Sequence, residues 1–164
     1  MSRQLTPDER DFILSTLRKT AGIIVIDAPE GMQTIVRYLS EIVPPELVAM
    51  AEHEADLFFT YDMAKCGVEE DGYSIWSTNS TGRTITALGM ATQAIRQGRD
   101  YAAMIWAHEL THLVTRVPGH TAAFHQYLDY LLAEIEDYSG ITVKNDYFDL
   151  PEKDKPLKGH KIAP

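Results

Sequence analysis

Between Tyr101 and Thr115 the chain is apolar on nearly every side of a would-be helix, and its only charged residue there is Glu109. A helix apolar all round is a buried helix. A carboxylate inside it is costly unless it is paired, hydrogen-bonded or set beside a cation. Any fold for this chain must therefore bury the segment and compensate the acid. The local sequence suggests how, because Glu109 stands in the run His108-Glu109-Leu110-Thr111-His112. Residues four apart lie one above the other on a helix face. His108 and His112 can thus hold one metal ion together, with Glu109 beside them to handle a proton. The pattern points to zinc-activated water, a chemistry used most often on peptide bonds. Two core histidines and a chance acid would need several separate compensations in a buried helix.

Catalytic zinc takes three protein ligands and keeps one position open. Pro118-Gly119 stops the helix, and His120 follows directly, where the chain can turn back toward the metal. It is the best-placed third ligand. Glu134, in the next helical stretch, is the alternative and would make a set of two His and one Glu. A solvated helix face explains Glu134 equally well. His125 can be a partner of a ligand, a donor to the reacting group, or a half-exposed residue. Spacing does not choose among Tyr101, Tyr127, Tyr130, Arg116 and His125 as stabiliser of a developing oxyanion. His53, among Glu52, Glu54 and Asp56, reads as part of a solvated face, and His160 reads as a tail residue.

Around this segment the periodicity predicts mixed helix and strand. Thr6-Pro7-Asp8-Glu9 is a helix start, and the helix spans about 6–21. Ile23–Ile26 reads as a short strand. Met32, Ile35, Val36, Leu39, Ile42 and Val43 recur at helical spacing up to Pro44-Pro45. Glu46 to about Ala55 reads as a helix, and Leu57–Tyr61, Tyr73–Thr78 and Thr84–Leu88 as strands, the last two joined by a turn at Asn79–Gly82. A helical stretch is expected from near Met90 to Gly98, with Asp100 capping the main helix. Ala122–Asp137 carries an apolar stripe, Phe124, Leu128, Leu131, Leu132 and Ile135. Ile141–Val143 is a candidate strand. Thr84–Leu88 is expected to be the edge strand that pairs with an extended substrate.

The 164-residue length suits one domain over 1–143, followed by a polar, proline-bearing, loosely docked or mobile tail over 144–164. The formal charge of −9 argues against a nucleic-acid surface. No apolar run approaches the roughly 20 residues of a membrane span. There is no hydrophobic signal core at the N-terminus. One cysteine, Cys66, forms no internal disulfide and no cysteine-rich zinc ribbon. These features lead to a cytoplasmic expectation, with no membrane or nucleic-acid partner.

The HELTHL run, the short break and Gly119-His120-Thr121-Ala122-Ala123-Phe124 together resemble the zincin metallopeptidases. Within these the chain is most similar to the SprT-like and related small members, in which the third His is followed four residues later by an aromatic. The match covers about residues 57–137, and its specific part is 108–124. The resemblance implies zinc ligands His108, His112 and His120, with Glu109 as catalytic base and one Zn2+ per chain. It also implies an α+β minimal zincin domain. There a small mixed sheet packs on a backing helix and the active-site helix, with a further helix after the third ligand. The seven-residue spacer between His112 and His120 differs from the five-residue spacer of the metzincins. The basic surface and zinc-finger tail of the DNA-linked SprT-like members are absent from the sequence. The expected function is zinc-dependent hydrolysis of a peptide or protein substrate. The alternatives are a zinc-bearing binding or regulatory module that no longer cuts, and a zinc amidase on a non-peptide substrate.

Overall fold

Thr6-Pro7-Asp8-Glu9 starts the first helix as its residue types require. Thr6 Oγ1 accepts from the Glu9 amide at 3.1 Å, and Glu9 Oε1 accepts from the Thr6 amide at 2.8 Å. Helix α1 (Pro7–Ala21) then runs to Gly22, whose φ of 69° closes it in the left-handed region. The computed structural model describes residues 4–31, 33–143 and 162–163.

The strands form one mixed sheet in an α+β arrangement. Its order is β1 (Val25–Asp27), β2 (Leu57–Tyr61), β4 (Thr84–Ala91), β3 (Gly72–Thr78) and β5 (Ile162–Ala163). β2 runs antiparallel to β1 and parallel to β4. β3 and β4 form an antiparallel hairpin, and β5 lies parallel to β3. The hairpin turn is held by Asn79, whose Oδ1 accepts from the amides of Thr81 and Arg83 at 3.1 and 3.0 Å. The helices between and after the strands are α2 (Gln33–Leu39), α3 (Pro45–Glu54), α4 (Met63–Cys66), α5 (Thr92–Ile95), α6 (Arg99–Thr115) and α7 (Ala122–Ser139).

Alternation along β3 separates the two faces of the sheet. Ser74 meets Glu109 of α6 on one face, while Tyr73 faces the other side, toward Thr20 of α1. α1 therefore covers one face and α6 the other, with α7 packed on α6. The core runs through both layers: Ile13, Leu17, Phe59, Tyr61 and Ile75 are buried, as are Leu88, Trp106, Leu110 and Phe124. At one end of the sheet, Arg83 bridges Glu9 at 2.7 Å and Asp56 at 3.2 Å, tying α1 to the start of β2.

Several expectations change. β4 is not an edge: it pairs with β2 on one side and β3 on the other. Thr84–Leu88 thus has no free backbone to offer a substrate. The physical sign is in the sequence, since Ile85–Ala91 is a largely apolar run, as suits an interior strand buried on both faces. Pairing on two sides also carries β4 through Met90 and Ala91, so the helix expected near Met90 begins at Thr92. Gly98, not Asp100, is the N-cap of α6; Asp100 lies in its first turn. Ile141–Val143 forms no strand, and the first strand is Val25–Asp27, not Ile23–Ile26. Of the tail, Ile162 and Ala163 pair with Ser74 and Ile75, and residues 144–161 lie outside the described residues. Among the described residues no helix is long and apolar enough to cross a membrane.

Candidate metal centre

The apolar segment from Tyr101 to Thr115 makes up most of α6. Residues 102–113 are all buried, His108, Glu109 and His112 among them. Helical spacing stacks His108 and His112 with ring centroids 5.0 Å apart. α6 ends at Thr115, and the chain then turns back through Pro118 and Gly119, which brings His120 to the same pair. His120 Nε2 lies 3.3 Å from His108 Nε2. Each of the three histidines offers one ring nitrogen, and these nitrogens all fall within 4.8 Å of one another. Phe124, from the first turn of α7, forms a wall against all three rings, with centroid distances of 5.1, 4.4 and 5.0 Å.

The donor set suits a metal of the zinc type. Two nitrogens bound tetrahedrally at about 2.0–2.1 Å would stand about 3.4 Å apart, close to the 3.3 Å found here. His112 Nδ1 sits 2.7 Å from the Val117 carbonyl. A carbonyl only accepts, so in the neutral ring Nδ1 carries the hydrogen and Nε2 carries the lone pair. Burial, with His120 adding to it, holds the His112 imidazole down to about 3, against the raising effect of the Val117 bond. The ring is thus neutral at ordinary pH, the state in which it can ligate.

Glu109 follows His108 on α6 and is fully buried. Ser74 Oγ donates to its Oε1 at 2.8 Å. Its Oε2 is buried with no hydrogen-bond partner. Burial first, and then Asp71, push its carboxyl well above the usual range, while the Ser74 bond opposes them. A buried acid with one oxygen unsatisfied needs an explanation, and a water or cation at the histidines would provide it.

Two further features hold Glu109 in place. Gly72 lies so close that an added Cβ would stand 2.8 Å from Glu109 Cγ and 2.8 Å from Ile105 Cγ2. Tyr101 Oη donates to Asp71 Oδ2, anchoring the strand entry to the first turn of α6. Gly72→Ala is therefore expected to destabilise the protein by about 1–3 kcal/mol through overpacking. Thermal denaturation measures this, and an unchanged midpoint would mean that β3 and α6 separate freely.

The other sequence candidates fall elsewhere. Glu134 is exposed on α7 and lies outside the only group of three or more metal-ligand residues found among the described residues. His53 is exposed, and His160 lies outside the described residues. His125 has its ring 6.5 Å from that of His120, at the rim of the cluster. Tyr101 is committed to Asp71, Tyr127 Oη lies 3.1 Å from Met50 Sδ, and the Arg116 guanidinium lies over Trp76. Sequence reasoning missed Ser74, Gly72 and Asp71. Their one local sign is the small pair Gly72 and Ser74 on alternate positions of a strand, which leaves room for a helix to approach. No protein-family model, curated protein or solved structure matches this chain.

Proposed function

We propose that this chain is a zinc-dependent metallopeptidase of the minimal zincin type, similar to the SprT-like enzymes. His108, His112 and His120 hold the metal, and Glu109 is the general base. The observation that carries the reading is the convergence of three imidazoles, two of them on the helix that also carries a buried carboxylate with one oxygen unsatisfied. When bound, zinc supplies a Lewis acid and lowers the pKa of a water molecule to about 7. The chain supplies the rest. Ser74 orients Glu109 through Oε1, which leaves Oε2 to take a proton from water and return it to the leaving amine. A cation held by the histidines would favour the charged form of Glu109, against the effect of burial. The Val117 carbonyl fixes the tautomer of His112. β3, not β4, is the strand beside the site, and its outer edge at Ser74 and Ile75 is covered by Ile162 and Ala163 of β5.

Intact Glu109 favours an enzyme over a binding module, because a module that only holds zinc has no use for a base in its core. Elemental analysis tests the site directly. The purified chain is expected to carry one equivalent of zinc, and His112→Ala and His120→Ala to lose it. Full zinc content in His120→Ala would remove His120 from the ligand set. Turnover of a peptide library by the parent separates peptide cleavage from amide hydrolysis on a non-peptide substrate.

A further inference from the structure

We infer that Arg116 is a positioning residue for the histidine cluster and that Trp76 holds it in place, an inference that rests on the metal reading above. Arg116 caps the C-terminus of α6 with φ 54° and ψ 33°. It is the only non-glycine residue with positive φ among the described residues. Left-handed backbone at a helix C-terminus is ordinarily left to glycine, because a Cβ crowds the following carbonyl.

Two contacts hold Arg116 there. Its amide donates to the His112 carbonyl at 2.9 Å. Its guanidinium carbon lies 5.4 Å from the centroid of the Trp76 ring, a cation–π arrangement. The turn delivers the next residue, Val117, whose carbonyl meets His112 Nδ1 at 2.7 Å. The Val117 amide is tied back to Thr115 Oγ1 at 3.3 Å. From there the chain reaches His120. With Arg116 in any other backbone region, the Val117 carbonyl swings away from His112 and the approach of His120 changes with it.

Trp76 stands two residues beyond Ser74 on β3, and alternation puts both on the face toward α6. One strand therefore serves the site twice: Ser74 aims the base, and Trp76 pins the turn between the second and third ligands.

The test is titration of the metal-free full chain with zinc against a chelator of known affinity, together with the visible spectrum of the cobalt(II) form. Trp76→Ala and Arg116→Val are each expected to weaken metal binding by about tenfold and to alter the cobalt bands. Arg116 is exposed, so Arg116→Val tests the turn even if Trp76→Ala does not fold. Arg116→Gly, and the double variant Trp76→Ala with Arg116→Gly, are expected to bind within about threefold of the parent, because glycine needs no support in this region. Parent-like binding by both Trp76→Ala and Arg116→Val overturns the inference. So does a double variant as weak as Trp76→Ala alone. A parent that binds no metal overturns the metal reading and the inference together, whereas a parent with one equivalent and indifferent variants overturns only the inference.

Discussion

Glu109→Gln is expected to lower peptide turnover by about 10²–10⁴-fold while leaving one zinc bound. The amide keeps the shape of the side chain and its contact with Ser74, but it takes up no proton. Stability distinguishes this role from a structural one. The buried carboxyl is held well above its usual range by desolvation and by Asp71, so in the metal-free protein its charged form is disfavoured. A neutral amide removes that conflict, and the metal-free melting temperature is expected to hold or rise. A variant that turns over peptide like the parent would sink the assignment of Glu109 as base. A variant that loses both zinc and stability would make Glu109 a structural residue. Ser74→Ala should fall between, since it releases Oε1 and leaves the base in place but poorly aimed.

The largest effect on stability is expected at Gly89, in the middle of β4. A Cβ there would stand 2.1 Å from Phe59 Cε2 and 2.2 Å from Cζ. Phe59 is fully buried and directly paired with Gly89 across the parallel β2–β4 ladder. Its ring cannot swing into solvent, so Gly89→Ala must push β2 and β4 apart or force the ring off its rotamer. Overpacking of this kind costs about 3 kcal/mol or more. For a protein of this size that lowers the melting temperature by roughly 6–12 °C. Phe59→Leu opens the space, so the double variant should lose clearly less than the two single losses added together. Strict additivity would mean that the ring is not what excludes the methyl.

Gly89 also shows why some of the architecture is hard to read from sequence. The histidine spacing is a local property: His108 and His112 are one helical turn apart, and Pro118-Gly119 announces the break before His120. Such features follow from helix geometry alone, and the structure gathers the three histidines accordingly. The strands at 57–61 and 73–78 follow from short apolar and β-branched runs. Strand order is different. It depends on which edge of β2 accepts β4, a pairing between residues about thirty apart, and nothing in either strand's own alternation states it. Thr84–Leu88 lies directly after a hairpin turn, yet the largely apolar run through Ala91 belongs to an interior strand. Ser74 is hidden in the sequence for the same reason. It lies 35 residues from Glu109, and a serine in a strand usually faces solvent. The αL turn at Arg116 gives no local sign either, because glycine, the ordinary mark of that conformation, is missing.

The placement of Gly72, Ser74 and Trp76 on one face of β3 has a consequence for genetics. None of the three is among the histidines that gather at the site, yet each touches either Glu109 or the turn between His112 and His120. A saturation scan scored for the proposed activity should therefore show a period-two stripe of sensitive positions along this strand, dozens of residues upstream of His108–His112. Without the three-dimensional arrangement, such a stripe would be taken for a second, unrelated functional region.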